Sequence, residues 1–443
     1  MNLHLLNFNS TYLIQHKMNL HVTNKILVIF LLLLFSCDRE NGTNYNLKPK
    51  TKINIKNINE IECTKYSDLY DSIKFIKLET KRESLIGRID KILFYDNKYF
   101  ILDQVQGKSV FVFDKNGKYL YRIGKNGKGP GEYDLPNDIA INVYSNNIII
   151  YNNNNKKLLS YSLDGKFIDE IKLKYYINSF TVLNADLFAI YYDFGFDEKS
   201  NVTNSNMQII DKKGKILKSA FKISKESGYS KGGMNFFSKN NNEVLISPGY
   251  SSSIFSISPD SCIQKYAIDF GRYTIPIDFF NRPKNNFRKD LRTSNYAYLS
   301  EYFEMPNHLI FSLIYKGKVY QCLYSKKTNI LKINNVFIND MYGLMTGGKI
   351  MASSDSFIIS YFEPSNIDYY KNVYNSSFTN GEKQKELLIK SLESNGTLDE
   401  GMKKIKNILT KIELNPTVNE INFISSIKAS DNPVLILQKL KSF

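Results

Sequence analysis

Val110 to Tyr133 reads VFVFDKNGKYLYRIGKNGKGPGEY, and this stretch decides the fold. Val110, Phe111, Val112 and Phe113 are β-branched or aromatic, the composition of a half-buried strand. Asp114-Lys115-Asn116-Gly117 follows with turn chemistry, since Asn and Gly tolerate positive φ, and an apolar run resumes at Tyr119. The pattern predicts a β-hairpin. It returns at Leu158 to Leu173, LLSYSLDGKFIDEIKL, and at Met207 to Ile223, MQIIDKKGKILKSAFKI. Weaker copies run from Ile254 to Phe270, turning at Pro259-Asp260, and from Lys318 to Val336, turning near Lys326-Lys327.

The turns at Asp114, Asp164 and Asp211 recur at roughly 50 residues, the period of a propeller blade of four antiparallel strands. A blade buries its faces only against neighbouring blades, so the array must close into a ring to lose its exposed ends. Counting hairpins from Gly87, with a last blade near the C-terminus, gives about six blades in 443 residues. The expectation is one all-β domain, a six-bladed β-propeller, over residues 66–443.

Several segments carry a resemblance: IKFIKLET (Ile73 to Thr80), LIGRIDKI (Leu85 to Ile92), the GKGPGEY loop (Gly127 to Tyr133) and DNPVLILQKLK (Asp431 to Lys441). In these the chain resembles the six-bladed β-propeller lipoproteins of Bacteroidota, NHL- and TolB-like in shape. The resemblance covers nearly everything from about Tyr66 onward and is strongest in the first two blades and the closing strand. It implies a secreted, lipid-anchored propeller and brings no catalytic motif with it.

The N-terminus points to the same compartment. Lys25 precedes the apolar run Ile26 to Phe35, which is too short to span a bilayer but suits a signal-peptide core. Leu34-Phe35-Ser36-Cys37 reads as a lipobox, which makes residues 1–36 a lipoprotein signal peptide and Cys37 the lipid attachment site; Met18 is an alternative initiator. Two or more acyl chains on Cys37 would anchor stably where one would be marginal. Residues 38–57, rich in Asn, Lys, Thr and Gly, suit a solvated, mobile tether, so residues 37–65 are assigned to the lipidated cysteine and its linker. Ser72 to Leu78 and Val434 to Leu440 are short and apolar, and pairing them in blade six would remove the last free edge.

Two insertions break the rhythm. In residues 277–304, Phe279, Phe280, Phe287 and Leu291 fall at helical spacing. In residues 380–411, Thr397-Leu398-Asp399-Glu400 is a capping-box pattern ahead of Met402, Ile405 and Leu409. Either could be a lid or partner-binding element, or a loop packing its own apolar face on the rim.

A net charge of +16 raises nucleic acid as a partner, but the lysines are scattered through turns, arginine is scarce, and no basic stripe interleaves with aromatics. Acidic glycans or anionic lipopolysaccharide fit such a surface better. After Cys37 only Cys63, Cys262 and Cys322 remain, with no C-x-x-C spacing, so they read as buried small hydrophobes rather than a disulfide framework or zinc site. His4, His16 and His21 lie in the signal segment, and His308 is then the one histidine of the mature chain, too few for a multi-histidine metal centre and placed where a structural role is expected. No metal or cofactor is indicated, although carboxylate-bound calcium drawn from several blades stays open.

Gly124, Gly127, Gly129 and Gly131 suggest a phosphate cradle only at first sight. Pro130 and Glu132-Tyr133 lead into another strand rather than a helix, so the loop reads as a rigid connection between blades one and two, with Tyr133 packing on a neighbouring blade. Asp90, Asp103, Asp138 and Glu132 lie near strand ends and could face the channel, without sequence evidence that any two converge. The leading expectation is a non-catalytic, lipid-anchored binding or scaffold protein of the outer membrane for a peptide, glycan or partner protein. Alternatives are a lyase or glycosidase using Tyr and carboxylates at the channel, without Trp for sugar stacking, and an accessory subunit of an envelope complex.

Overall fold

The computed structural model describes residues 44–46, 48–58, 63–192, 205–222, 229, 236–240, 243–341, 348–368 and 418–442, with scattered positions between 371 and 411. Residues 1–42 are not in this set, so the lipobox at Cys37 and the histidines His4, His16 and His21 lie outside the described residues. Thr397 to Glu400, Met402 and Ile405 do so as well.

Each predicted hairpin is present as the two outer strands of a blade. Blade one comprises Lys91–Tyr95, Lys98–Asp103, Ser109–Asp114 and Tyr119–Ile123. Blade two comprises Pro136–Asn142, Asn147–Asn152, Lys157–Ser162 and Phe167–Lys172. Blade three runs through Ser179–Val182, Leu187–Tyr191, Ser205–Asp211 and Ile216–Lys222. Blade four has Phe237–Asn240, Glu243–Ile246, Ser253–Ile257 and Ser261–Asp269, and blade five Ala297–Glu304, His308–Tyr315, Lys318–Ser325 and Leu331–Asn334. Within each of these five blades the four strands pair antiparallel in sequence order.

The turn chemistry explains the repeat and corrects its register. Asp114 Oδ1 accepts from the backbone N–H groups of Asn116 at 2.8 Å and Lys118 at 2.9 Å, and Gly117 takes φ +87°. Asp211 does the same for Lys213 and Lys215, with Gly214 at φ +76°. In the second copy the equivalent residue is Ser162, whose Oγ accepts from Lys166 N at 3.1 Å, and Asp164 sits two positions further on at the turn tip. Asp and Ser are interchangeable here because each needs only one oxygen aimed at the turn's amides.

Blade six contains Ala352–Ser353, Ile358–Phe362, Val434–Leu440 and, outermost, Tyr70–Lys77 from the start of the chain. Val434 faces Lys77 and Leu437 faces Lys74 in an antiparallel ladder, so the termini close the ring as the two apolar runs predict. Six apolar clusters then lie one between each pair of successive blades, including that between blades six and one, where Ile76 and Leu435 meet Ile92, Tyr99 and Phe111. Cys262 and Cys322 are wholly buried in two of these clusters, and Cys63 is half-buried. Burial pushes the Cys262 thiol up to about 12.

The N-terminal segment departs from the expected tether. Asn44–Asn46 and Thr51–Asn54 pair parallel with Ser261–Ile263 and Tyr266–Asp269, adding a fifth layer to the outer edge of blade four. Cys63–Lys65 pairs parallel with Val336–Ile338. Ile53 and Ile55 are 2% and 3% exposed and join the cluster between blades four and five, which is why this lysine- and asparagine-rich stretch is fixed rather than loose.

The first insertion is shorter than expected, because Ala297–Glu304 is the innermost strand of blade five. Helix α1 (Lys284–Thr293) and the short helical turn Ile277–Asn281 remain outside it. Phe279, Phe280, Phe287 and Leu291 are all buried against Tyr250, and the Tyr229 and Phe287 rings stack at 4.2 Å, so the element packs its own apolar face on the rim. Of the second insertion, Leu409 is described and buried, and helix α2 (Val418–Ser425) follows it.

Candidate functional site

The innermost strands of the six blades touch one another in a closed cycle and surround a channel. A cavity of about 340 Å³ occupies it, lined by blade one through Lys91 to Tyr95, blade two through Ile139 to Ile141, and blades three to six through Phe180, Lys239, Phe303 and Met351 among others. Each blade meets the channel edge-on, so consecutive residues of an inner strand border it, and the wall mixes aliphatic and aromatic groups with a few polar ones.

At the end where these strands begin, a buried carboxylate organises three blades. Asp138, 1% exposed, accepts from Lys91 Nζ of blade one at 2.7 Å through Oδ1 and from Ser179 Oγ of blade three at 2.6 Å through Oδ2. The backbone N–H groups of Phe180 and Ile139 donate to it as well, at 2.9 Å and 2.8 Å. A second tier crosses the same blades, with Gln104 donating to Asn137 and Asn137 donating to the carbonyl of Asn178.

The other named carboxylates do not converge with it. Asp103 accepts from the backbone N–H groups of Gly87, Arg88 and Gln106, and Asp90 from Gln104 N with Arg88 beside it at 2.6 Å. Both hold the loop entering blade one. Glu132 turns back on its own loop and accepts from Gly129 N at 2.9 Å. Tyr133, 1% exposed, donates to the carbonyl of Ile123 at 2.5 Å and accepts from Val110 N, and its ring meets Tyr161 of blade two edge-on. Burial raises its phenol to about 12. The glycine-rich loop therefore connects blades one and two with Tyr133 packed against the neighbouring blade, as its sequence predicts.

His308 begins the second strand of blade five, away from the lumen lining, and burial together with nearby Lys326 holds it below the ordinary histidine range. Beside it, Glu304 accepts from Lys265 and Lys326 at 2.8 and 2.7 Å and from Tyr266 Oη at 2.7 Å. Burial opposes ionisation of Glu304, but these donors outweigh it and keep the carboxyl below its usual value. Among the described residues no three His, Cys, Asp or Glu side chains gather as a metal site.

The opposite mouth was not foreseen from the sequence. There Lys239, from the inner strand of blade four, donates to the carbonyl of Val182 in blade three at 3.1 Å, and its ammonium lies 5.4 Å from the Tyr144 ring centroid. Tyr144 in turn donates to the carbonyl of Leu183, and Tyr95 to Asn146, so hairpin tips of successive blades are laced together. Desolvation lowers the Lys239 ammonium below the usual lysine value, and among the described residues no carboxylate lies within ion-pairing distance of it. Phe236-Phe237-Ser238-Lys239-Asn240 shows no apolar–polar alternation, so the sequence carried no signal that Lys239 borders the lumen.

The comparisons with known proteins agree with this architecture. A family model described as a domain of unknown function, DUF4934, matches residues 50–400. The chain belongs to the DUF4934 family. A crystal structure from Bacteroides fragilis NCTC 9343, of a protein described by inference as exported, is similar to this DUF4934 propeller with a TM-score of 0.66 at 20% identity. It covers 88% of this chain and 99% of its own. A DUF4221 member from Bacteroides vulgatus superposes less well, with a TM-score of 0.44 at 11% identity over 66% of this chain and 92% of its own. No curated protein matches the sequence. Among the described residues no helix is long and apolar enough to cross a membrane.

Proposed function

We propose that this DUF4934 propeller is a lipid-anchored cell-envelope binding protein, whose channel mouth holds an anionic group of a peptide, glycan or partner protein. The observation that carries the reading is Lys239, a partly desolvated ammonium on the lumen wall with a tyrosine face beside it. A carboxylate or sulfate seated there would gain a charge-assisted hydrogen bond in a low-dielectric setting, and Tyr144 and Val143 offer apolar contact next to it. The carboxylates Asp90, Asp103 and Asp138 are occupied by backbone amides and Lys91, which favours binding over glycosidase chemistry. The lipobox at Cys37 supports outer-membrane anchoring, and fatty-acid labelling lost in Cys37→Ser tests that part.

Binding is tested by screening the mature protein against acidic and neutral oligosaccharides and peptides, then comparing Lys239→Met with the parent. An acidic ligand should lose roughly tenfold or more in affinity. Equal binding by the two proteins, or selection of neutral ligands alone, would overturn the reading.

A further inference from the structure

Residues 48–56 read KPKTKINIK, and on the outer edge of blade four they alternate by face: Lys48, Lys50, Lys52 and Lys56 are exposed, whereas Ile53 and Ile55 are buried. Period-two geometry along this paired stretch therefore sets the ammonium groups of Lys50, Lys52 and Lys56 in one outward row, with Lys48 at the bend before it. Arg272 extends the row, its Nη2 donating to Asn57 Oδ1 at 3.2 Å. One carboxylate, Asp269, pairs with Lys52 at 2.8 Å. Beside the row, an open groove of about 880 Å³ separates it from Tyr324, Asn329 and Leu331 of blade five.

We infer that this lysine row is a docking surface for anionic phospholipid headgroups, seating the rim of blade four on the membrane. The inference rests on the envelope-anchored reading above, and chain length links the two. Six residues, Asp38 to Thr43, separate Cys37 from the strand that begins at Asn44. Fully extended, that span reaches at most about 25 Å. An acylated Cys37 therefore keeps the edge of blade four near the bilayer, because Asn44–Asn46 is itself hydrogen-bonded onto that edge. Juxtamembrane basic clusters are attracted to anionic leaflets within about a Debye length. Lysine on an edge strand also blocks pairing with other chains, a role that needs charge but no lipid.

The test uses the processed chain beginning at residue 37 with Cys37→Ser, which carries neither leader nor acyl group. In vesicle flotation it should bind phosphatidylglycerol–phosphatidylcholine membranes, weakly or not at all pure phosphatidylcholine, and release as salt rises. Lys50→Gln, Lys52→Gln and Lys56→Gln together should lower that affinity roughly tenfold or more while the protein stays monomeric. Lys115→Gln with Lys118→Gln, in blade one, should change nothing. Binding that is indifferent to lipid charge, or unaltered in the triple variant, would overturn the inference, as would the blade-one pair weakening it equally. Should the triple variant aggregate, Lys50→Gln and Lys56→Gln singly must each weaken binding, and no loss in either overturns it. Failure of Cys37 labelling alongside intact vesicle binding would remove the anchor and leave the surface.

Discussion

The side-chain amide of Asn432 donates to the carbonyl of Ser84 at 2.8 Å, joining positions 348 residues apart. The same amide donates to the carbonyl of Glu79, its oxygen accepts from Ile86 N, and its backbone N–H donates to Thr80 Oγ1. One buried asparagine thus fixes the entry of the last strand against the loop between blades six and one. Asn432→Ala leaves the buried Ser84 carbonyl and the part-buried Ile86 N–H without this partner, while the Glu79 carbonyl keeps Ser84 Oγ as a donor, and it should lower unfolding free energy by about 2 kcal/mol. Urea titration checks this, and a change under about 0.5 kcal/mol would refute it.

Asp138 joins three blades through Lys91 and Ser179, and removing it strands a buried ammonium. Asp138→Ala should destabilise by about 3–5 kcal/mol, and Lys91→Met by less, because Asp138 keeps three other donors. In a double-mutant cycle the pair should couple by more than about 1 kcal/mol. Additive effects would show that the contact is incidental.

Gly124 has φ +64°, and an added Cβ would lie 2.8 Å from Tyr161 Cε1 and 3.0 Å from Tyr133 Cε1. Both rings are buried in the wedge between blades one and two, so neither can yield. Gly124→Ala should therefore cost about 2–3 kcal/mol, more than the left-handed backbone alone accounts for. Gly271, whose Cβ would meet open space at φ +52°, is the control and should lose about 1 kcal/mol.

Acid sensitivity should have two steps. His308 is held below its ordinary value of 6.5, so the unfolded chain takes up a proton that the fold refuses, and stability falls as pH drops below that value. Glu304 is held below its ordinary 4.5, and its contribution, complete above that value, is lost as pH falls through the lower folded value. His308→Gln should flatten the first step and spare the second, as followed by melting temperature between pH 7 and about 3. A first step that persists in the variant would rule out the histidine as its source.

The hairpins were legible because the chemistry of their turns is local: an Asp or Ser oxygen, two amides and a glycine at positive φ lie within five residues. Ring closure was legible too, since the apolar runs Ser72 to Leu78 and Val434 to Leu440 needed partners and each lacked one nearby, and they pair as Tyr70–Lys77 and Val434–Leu440. The edge strand of blade four was read as a tether because composition around Lys50 outweighed the alternation of Ile53 and Ile55. Lys91 and Asp138 meet across a blade boundary, and Lys239 meets Tyr144 across two, so local patterning carried no trace of either contact. Asp90 and Asp103 were correctly placed near strand ends, but which amides they serve depends on loop paths that only the folded chain defines.

Blade six draws three strands from the end of the chain and one from Tyr70–Lys77, and this imposes an order on biogenesis. Synthesis runs from the N-terminus, so Ile73 and Ile76 emerge before blades one to five and wait until all five have been made before Leu435 and Ile436 arrive to cover them. Throughout that interval the growing polypeptide presents an uncovered strand and an incomplete ring to every other chain in its surroundings. A ribosome that stops before Val434–Leu440 is made would release an open arc, ready to pair with its own kind.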